Sequence, residues 1–365
     1  MGSSEAATSY APDVAYQEEN LSRTETPEND QEVDQNGELR RSLEEQSRDD
    51  IADYAFLPIK RPALIKFYYN QRDMRWVPAD VDMRQDRQDW DTKCDDGMKR
   101  FVKGILAFFV PADGIVTANI FSNFQQDTSM YKEAAAFYAE QAAMEMVHSE
   151  MYSLTAEALI RDRKELHMLY NSIDHFPAVR RIADFMFKYM DKAQPLPVRV
   201  IAFACVEGVL FNSAFASIYW IKKKNILRGF CKANEFIARD EAIHTCFACV
   251  LFTFICARDD QETPDVEHVH EIIVEAVDTN AEFIRDILPV EMIGMSSEDL
   301  LEYTKCTADA LLVSLGYKKL YNSENPFDWM AVISLPNRTN FFEDKVSEYA
   351  KQSQGDFVFD LDDEF

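Results

Sequence analysis

Apolar residues recur at helical spacing through most of this 365-residue chain, from about Ile51 to about Leu320. Few segments alternate apolar and polar residues with the two-residue period of a β-strand. Prolines at positions 177, 195, 197, 264 and 289 interrupt the helical pattern, so helices are expected to begin or end there. The pattern therefore predicts an all-α fold.

Two of the predicted helices are apolar almost throughout, and each contains one carboxylate: Asp113 in FVKGILAFFVPADGIVTANI, and Glu207 in Val198–Ile221. An unpaired carboxylate buried in such a run is costly, so a cation is expected to face it. Val198–Ile221 is long enough to span a bilayer. Arg199 and the lysines at 222–224 favour a core helix instead, and we expect no membrane partner.

The motif Glu-x-x-His occurs twice, as Glu145/His148 and Glu241/His244, and each copy follows one of the apolar-run carboxylates by a similar interval. Spacing of i, i+3 places the Glu and His of a pair on one helical face. Each interval fits a helix, a turn and an antiparallel return helix. Two such modules predict a ferritin-like bundle whose core holds a di-metal carboxylate site. The alternative is a structural ion-pair network.

Four carboxylates against two imidazoles favour iron or manganese over zinc, which prefers tetrahedral nitrogen and sulfur sites. Asp240 is adjacent to Glu241 but points about 100° away around the helix. It is therefore better placed to orient a ligand histidine than to bind a metal.

Tyr152 follows Glu145 by seven residues and His148 by four, so it lies on the same helical face as the predicted metal ligands. A phenol beside a redox metal can be oxidised. Apolar side chains at helical spacing from the ligands would line the same cavity and exclude water. These are Phe211, Phe215 and Ile237.

The charge distribution is uneven, because residues 1–50 hold 14 acidic and 4 basic residues of a protein with net charge −26. That segment is expected to be disordered. The acidity argues against nucleic acid as a partner. Seven cysteines and the lack of a secretory apolar segment predict a reducing, cytoplasmic location. The motif Cys246-x-x-Cys249 stands alone, so core packing is its expected role.

Several motifs closely resemble the small, radical-generating subunit of class I ribonucleotide reductase, particularly its eukaryotic and viral members. They are AMEMVHSEMYSL (143–154), FACVEGVLFNSAFASIYW (203–220), FIARDEAIH (236–244), NPFDWM with ISLPNRTNFFE (325–343), and the terminal FVFDLDDEF. The resemblance extends from about residue 60 to the C-terminus.

The resemblance implies that two iron ions, with manganese less favoured, are bound by six ligands and react with O2 to form a radical on Tyr152. It also implies that Trp76, Asp240 and Tyr349 relay the radical to a large subunit that reduces the ribonucleotide. A homodimer is expected on the same basis. The implied ligands are Asp113, Glu145, His148, Glu207, Glu241 and His244.

Four regions are predicted along the sequence: a disordered acidic segment (1–50), a ferritin-like helical domain (51–322), a loop-rich segment (323–355) and a docking tail (356–365). Aromatic and apolar residues alternate with acids in the tail, which is expected to be flexible until it binds a groove on the large subunit.

Three features depart from the family pattern. Pro111 lies two residues before Asp113, where a kink would displace the ligand. The stretch from 127 to 140 is about one residue longer, which a loop change or a π-bulge would absorb. Glu140 is an additional acid, and its offset from Glu145 places it away from the ligand face.

Two other functions remain open from the residues alone. A stand-alone di-iron oxidase or hydroxylase would have a substrate pocket and would turn over without a partner. A catalytically silent paralogue that stabilises an active subunit would be expected to lack metal ligands, and here all six are present.

Overall fold

The structure is a computed structural model, and it describes residues 55–288, 293 and 295–327. These residues form helices joined by turns, and no strand occurs among them. The longer helices are α1 (Pro62–Asp73), α2 (Arg84–Thr92), α3 (Asp96–Asn119), α4 (Lys132–Leu159), α5 (Arg163–Tyr170), α6 (Pro177–Met190), α7 (Leu196–Cys205), α8 (Phe211–Lys222), α9 (Arg228–Cys256), α10 (Val266–Asp286) and α11 (Ser297–Ser314). The prediction of an all-α, ferritin-like fold is confirmed.

Shorter helical segments join or extend these helices. Pro78–Asp80 is a single 3₁₀ turn, and Ser172–His175 is a short α-helical turn before α6. Ile120–Phe124 is a π-helical turn that continues α3 into Gln125–Asp127. A second π turn, Val206–Leu210, joins α7 to α8 without a break in the helical path.

Polar caps and prolines set the beginnings of several helices. The carboxylate of Asp95 accepts a hydrogen bond from the backbone N–H of Met98 at the start of α3, at 2.8 Å. Asp162, Asp265 and Ser296 cap α5, α10 and α11 in the same way. Helix α6 begins at position 177 and α7 directly after 195, as the prolines predicted. Position 289 lies outside the described residues.

The two predicted helix pairs form the centre of the bundle. Helix α3 and its π-helical extension return into α4 through a turn at 128–131, and α8 returns into α9 through 223–227. Helices α3 and α4 pack against each other, and α9 packs against both α7 and α8. The predicted helix-turn-helix modules are therefore present, and each contributes one of the doubled motifs.

Two segments are long and apolar enough to cross a membrane by composition alone, Asp96–Asp127 and Leu196–Lys222. Their most apolar windows are 67% and 100% buried inside the protein. Burial by neighbouring helices accounts for their apolar character, which agrees with the prediction that Val198–Ile221 is a core helix.

Of the departures noted in the sequence, Pro111 leaves α3 unbroken from Asp96 to Asn119. The π turn at Ile120–Phe124 lies just upstream of the lengthened stretch, which itself contains the turn before α4. The predicted segments 1–50 and 356–365 lie outside the described residues, as does the predicted segment 323–355 from residue 328 onwards, so the domain boundaries stay predictions.

Candidate metal centre

The six predicted metal ligands converge from four separate parts of the bundle, and each is at most 2% exposed. Helices α3, α4 and α9 and the π turn between α7 and α8 supply them. They are Asp113 on α3, Glu145 and His148 on α4, Glu207 in the π turn, and Glu241 and His244 on α9.

Two carboxylates at the centre of this cluster each face both imidazoles. Glu145 places its Oε2 3.3 Å from Nδ1 of His148 and its Oε1 3.1 Å from Nδ1 of His244. Glu241 places its Oε1 3.1 Å from Nδ1 of His148 and its Oε2 3.2 Å from Nδ1 of His244. Both glutamates thus span the gap between the two histidines, as bridging carboxylates do in di-metal sites.

The other two carboxylates differ in the histidine with which each interacts more strongly. Among the histidines, Asp113 interacts more strongly with His148, whereas Glu207 interacts more strongly with His244. One ligand atom each from Glu145, Glu207, Glu241 and His244 lies within 4.8 Å of the others. Gln141, one turn before Glu145, donates a hydrogen bond of 2.8 Å to Oε1 of Glu207 and fixes its orientation.

The pKa shifts within the cluster reflect its burial and the close approach of its carboxylates and imidazoles. Burial, reinforced by the neighbouring carboxylates, raises the pKa of both Asp113 and Glu207 well above the usual range. Burial also acts to raise the pKa of Glu145, but interactions with the two neighbouring histidines lower it to about 2. Burial opposes protonation of His148 and His244, yet their carboxylate neighbours raise both pKa values.

Several atoms of the six side chains are buried without any hydrogen-bond partner, including both carboxylate oxygens of Asp113. Such atoms are rare in folded proteins unless a ligand satisfies them. Oxygen and imidazole donors arranged around two histidines fit two divalent metal ions. The unpartnered atoms are Oδ1 and Oδ2 of Asp113, Oε2 of Glu145, Nδ1 of His148, Oε2 of Glu207, Oε1 of Glu241 and Nε2 of His244.

Tyr152 is buried on α4, and its phenol donates a hydrogen bond of 2.8 Å to Oδ1 of Asn234 on α9. The Nδ2 group of Asn234 donates to the carbonyl of Phe230 at 2.8 Å, which fixes the amide orientation. The ring of Phe109 stacks on Tyr152, with centroids 4.6 Å apart and planes 3° apart. Burial and the nearby Asp113 raise the pKa of the phenol, so Tyr152 is neutral.

The three side chains predicted to line an apolar pocket are buried, but the ring that stacks on Tyr152 belongs to a fourth residue, Phe109. Phe211 and Phe215 each pack against Phe109, with ring centroids 5.2 Å apart, and Ile237 is fully buried on α9. Sequence reasoning missed Phe109 and Asn234. Helical spacing contained the signal, because Phe109 lies four residues before Asp113 and Asn234 lies seven before Glu241.

A chain of hydrogen bonds leads from the cluster to the buried indole of Trp76. Nε2 of His148 lies 3.2 Å from Oδ2 of Asp240, which accepts a hydrogen bond of 2.8 Å from the indole Nε1 of Trp76. The rings of Trp76 and His148 are 6.1 Å apart and inclined by 24°. Asp240 therefore contacts a ligand histidine, as predicted from its angle on the helix. Tyr349 lies outside the described residues.

The additional acid and the cysteines stand apart from the cluster. Glu140 is buried, and its carboxylate accepts two hydrogen bonds from the guanidinium of Arg75, as expected for an acid away from the ligand face.

None of the seven cysteines forms a disulfide. Cys249 is buried and Cys246 partly exposed on α9, which agrees with a packing role.

Residues 53–326 match the family model described as "Ribonucleotide reductase, small chain". This match covers most of the sequence and all six converging ligands. The chain belongs to the ribonucleotide reductase small-chain family. The family and the buried carboxylate and histidine cluster together indicate a di-metal centre.

Similar proteins in this family cover nearly the same length. A ribonucleoside-diphosphate reductase small chain from Arabidopsis thaliana is 40% identical over 322 residues, covering 86% of this protein and 95% of that one. The ribonucleoside-diphosphate reductase small subunit of Dictyostelium discoideum is 40% identical over 298 residues, covering 82% of this protein and 86% of that one.

Solved structures of ribonucleotide reductase proteins share the fold. The Rnr4 homodimer from Saccharomyces cerevisiae matches with a TM-score of 0.69 at 29% identity, covering 85% of this protein and 96% of that one. A class I ribonucleotide reductase protein from Bacillus halodurans matches with a TM-score of 0.66 at 21% identity, covering 74% of this protein and 99% of that one.

Proposed function

We propose that this member of the ribonucleotide reductase small-chain family generates a radical on Tyr152 and exchanges it with a large subunit that reduces ribonucleoside diphosphates. The observation that carries the proposal is the bridging arrangement of Glu145 and Glu241, each facing Nδ1 of both histidines at 3.1–3.3 Å. The buried, neutral phenol of Tyr152 lies on α4, the helix that also carries Glu145 and His148.

We propose ligands for two metal ions on the basis of this arrangement. Asp113 and His148 would hold one ion and Glu207 and His244 the other, with the two bridging glutamates shared. Iron is the metal we propose, because the donor set is rich in oxygen and the family resemblance is to its di-iron members. When bound, the metal pair supplies the oxidising power that O2 reduction makes available.

The protein surroundings would determine how Tyr152 reacts. Oxidation of the phenol would remove one electron together with its proton, because a phenol cation in this apolar pocket would be costly. The electron would go to the bound metal pair, and the unpartnered carboxylate oxygens of Asp113 would be available to accept the proton. Phe109 covers one face of the ring, and the buried aromatic side chains behind it exclude water and external reductants. Asn234 holds the hydroxyl group in one direction.

The path through Trp76, Asp240 and His148 would connect the cluster to the large subunit. Indole and phenol side chains can each lose one electron and regain it, and Asp240 accepts hydrogen bonds from both rings that it contacts. We propose that Tyr349 continues this path and that residues 356–365 dock on the large subunit.

The protein is also proposed to form a homodimer through the outer face of α3 and α4. Phe121 in the π turn after α3 is 58% exposed, and Met146 and Leu154 on α4 are 57% and 49% exposed. Gly114 and Ala118 on the same helix pair are exposed and small, which would let a second copy approach closely. The Saccharomyces cerevisiae relative is described as a homodimer.

Low-temperature electron paramagnetic resonance after aerobic addition of ferrous iron tests the proposal. We expect an organic radical in the wild-type protein that disappears in Tyr152→Phe. Tyr138→Phe is the matched control, since Tyr138 is another fully buried tyrosine on α4 and its loss should leave the radical signal in place. An unchanged signal in Tyr152→Phe would refute the assignment.

The same iron-loaded protein also distinguishes this proposal from the two other functions, a stand-alone oxidase or hydroxylase and a silent paralogue. A stand-alone oxidase or hydroxylase would consume substrate without the large subunit, whereas this proposal requires both subunits for ribonucleotide reduction. A silent paralogue would bind no iron. We also propose a cytoplasmic location, where the cysteines would stay reduced.

A further inference from the structure

Glu140 is a buried acid on α4 that the metal cluster does not use. Only 3% of the residue is exposed, and both carboxylate oxygens are bonded to Arg75, Oε1 to Nε and Oε2 to Nη2. This pairing of a planar guanidinium with a carboxylate fixes direction as well as distance. Glu140 is thus satisfied by protein atoms, unlike the carboxylates of the cluster, which retain unpartnered oxygens.

Arg75 immediately precedes Trp76 in the segment that follows α1. Its carboxylate partner lies five residues before the bridging Glu145, so the ion pair ties this segment directly to the helix that carries His148. The pairing also raises the pKa of Arg75, which keeps the guanidinium charged.

The residues on either side of Arg75 are held by α9. The carbonyl of Met74 accepts a hydrogen bond of 2.8 Å from Nη2 of Arg239, and the indole of Trp76 donates to Asp240 at 2.8 Å. Three consecutive residues are therefore each attached to the bundle, two to α9 and the middle one to α4. These two helices carry the two Glu-x-x-His pairs.

We propose that the ion pair between Arg75 and Glu140 is a positioning device for Trp76, which holds the indole against Asp240 and His148. Without the pair, the hydrogen bonds that attach Met74 and Trp76 to the bundle go to α9 alone, and only packing contacts, such as that of the Trp76 ring with His148, relate the indole to α4. Small displacements of a reacting group lower rates steeply, so such movement would slow radical transfer. This inference rests on the proposed function of Trp76.

A purely structural ion pair would stabilise the fold without affecting Trp76, and a double variant separates the two roles. Arg75→Gln/Glu140→Gln leaves no unpaired buried charge, and glutamine is too short at position 75 to rebuild the bridge. Arg161→Gln is the control, because it removes an exposed ion pair between Arg161 and Asp91 that does not involve residues 74–76.

The first measurement is turnover with saturating large subunit, divided by the tyrosyl radical content of each preparation. We expect the double glutamine variant to keep its radical content, while its kcat per radical falls about tenfold or more. The control variant should match the wild type. A kcat per radical equal to that of the wild type overturns the inference.

The second measurement needs no metal. With 5-fluorotryptophan in all four tryptophan positions, the fluorine resonance of Trp76, assigned with Trp76→Phe, should shift or broaden in the metal-free double variant. The resonances of Trp90 and Trp220 should stay unchanged. An unmoved Trp76 resonance overturns the inference. Failure of the wild type to form a radical would refute the proposed function instead. The two failures can be told apart, because the fluorine spectrum of the metal-free protein does not depend on radical formation.

Discussion

The phenol of Tyr152 donates a hydrogen bond of 2.8 Å to the side-chain oxygen of Asn234, so the pocket around the proposed radical is not wholly apolar. Asn234 cannot easily turn away, because its amide nitrogen is bonded to the carbonyl of Phe230. The phenol is therefore oriented by a residue on the helix that carries the second Glu-x-x-His pair.

Replacing Asn234 by Leu should leave the hydroxyl of Tyr152 buried without a partner. We expect the free energy of unfolding of the metal-free protein to fall by about 1–3 kcal/mol. In a double-mutant cycle with Tyr152→Phe, measured by urea denaturation, the two effects should be coupled by about 0.5–1.5 kcal/mol. Strictly additive effects would show that the hydrogen bond contributes nothing.

Gly208 should not tolerate alanine, because its added Cβ would lie 2.7 Å from the Cγ2 methyl group of Thr245. Gly208 is next to Glu207 in the π turn, so the clash would also disturb a metal ligand. We expect Gly208→Ala to lower stability by about 1–3 kcal/mol and to reduce bound iron.

Adding the substitution Thr245→Ser to Gly208→Ala tests whether the contact with the Thr245 methyl group causes the loss of stability. Serine removes the methyl group but keeps the hydroxyl that bonds to the carbonyl of Glu241. The double variant Gly208→Ala/Thr245→Ser should recover most of the lost melting temperature. If it is no more stable than Gly208→Ala alone, the close contact is not the cause.

Metal removal should make the stability of the protein depend on pH. Burial raises the pKa of Asp113 and Glu207 in the folded protein, and carboxylate neighbours raise those of His148 and His244. The folded metal-free protein then holds protons that the unfolded chain releases, so its stability falls as pH rises.

We expect the melting temperature of the metal-free protein to decrease between about pH 5 and pH 8 relative to that of the iron-loaded protein. The lowered pKa of Glu145 acts in the opposite direction, but only at more acidic pH, below its usual range. Differential scanning calorimetry of both forms checks this, and parallel pH profiles would contradict it.

Asp86 on α2 should contribute to stability through the start of α9. It is buried, and its carboxylate accepts hydrogen bonds from the backbone N–H groups of Gly229 at 2.9 Å and Phe230 at 2.6 Å. Asp86→Ala would leave two helix N–H groups unsatisfied, at a cost of about 1–3 kcal/mol in urea denaturation. Asp82→Ala, which removes an exposed ion pair with Arg84 and an exposed hydrogen bond from the backbone N–H of Arg84, should change stability by less than about 1 kcal/mol.

Much of the candidate site was predictable from local spacing. Residues three apart lie on the same face of an α-helix, so Glu145 and His148 had to share a face once their segment was helical. The burial of Asp113 and Glu207 followed from the apolar runs around them. The angle of Asp240 on its helix likewise predicted a contact with a ligand histidine, which the structure contains.

The amino-acid sequence by itself thus determined the helices, the acids that had to be buried and the donor types of the centre, because these depend on residues within a few turns of one another. Tertiary structure decided which carboxylates lie between the two histidines, that Asn234 holds Tyr152, and that Arg75 joins Glu140. These contacts join residues far apart in the sequence: Tyr152 and Asn234 are separated by 82 positions, and Arg75 and Glu140 by 65. Helical periodicity specifies which face of a helix is buried, whereas the partner across the interface depends on how the helices pack.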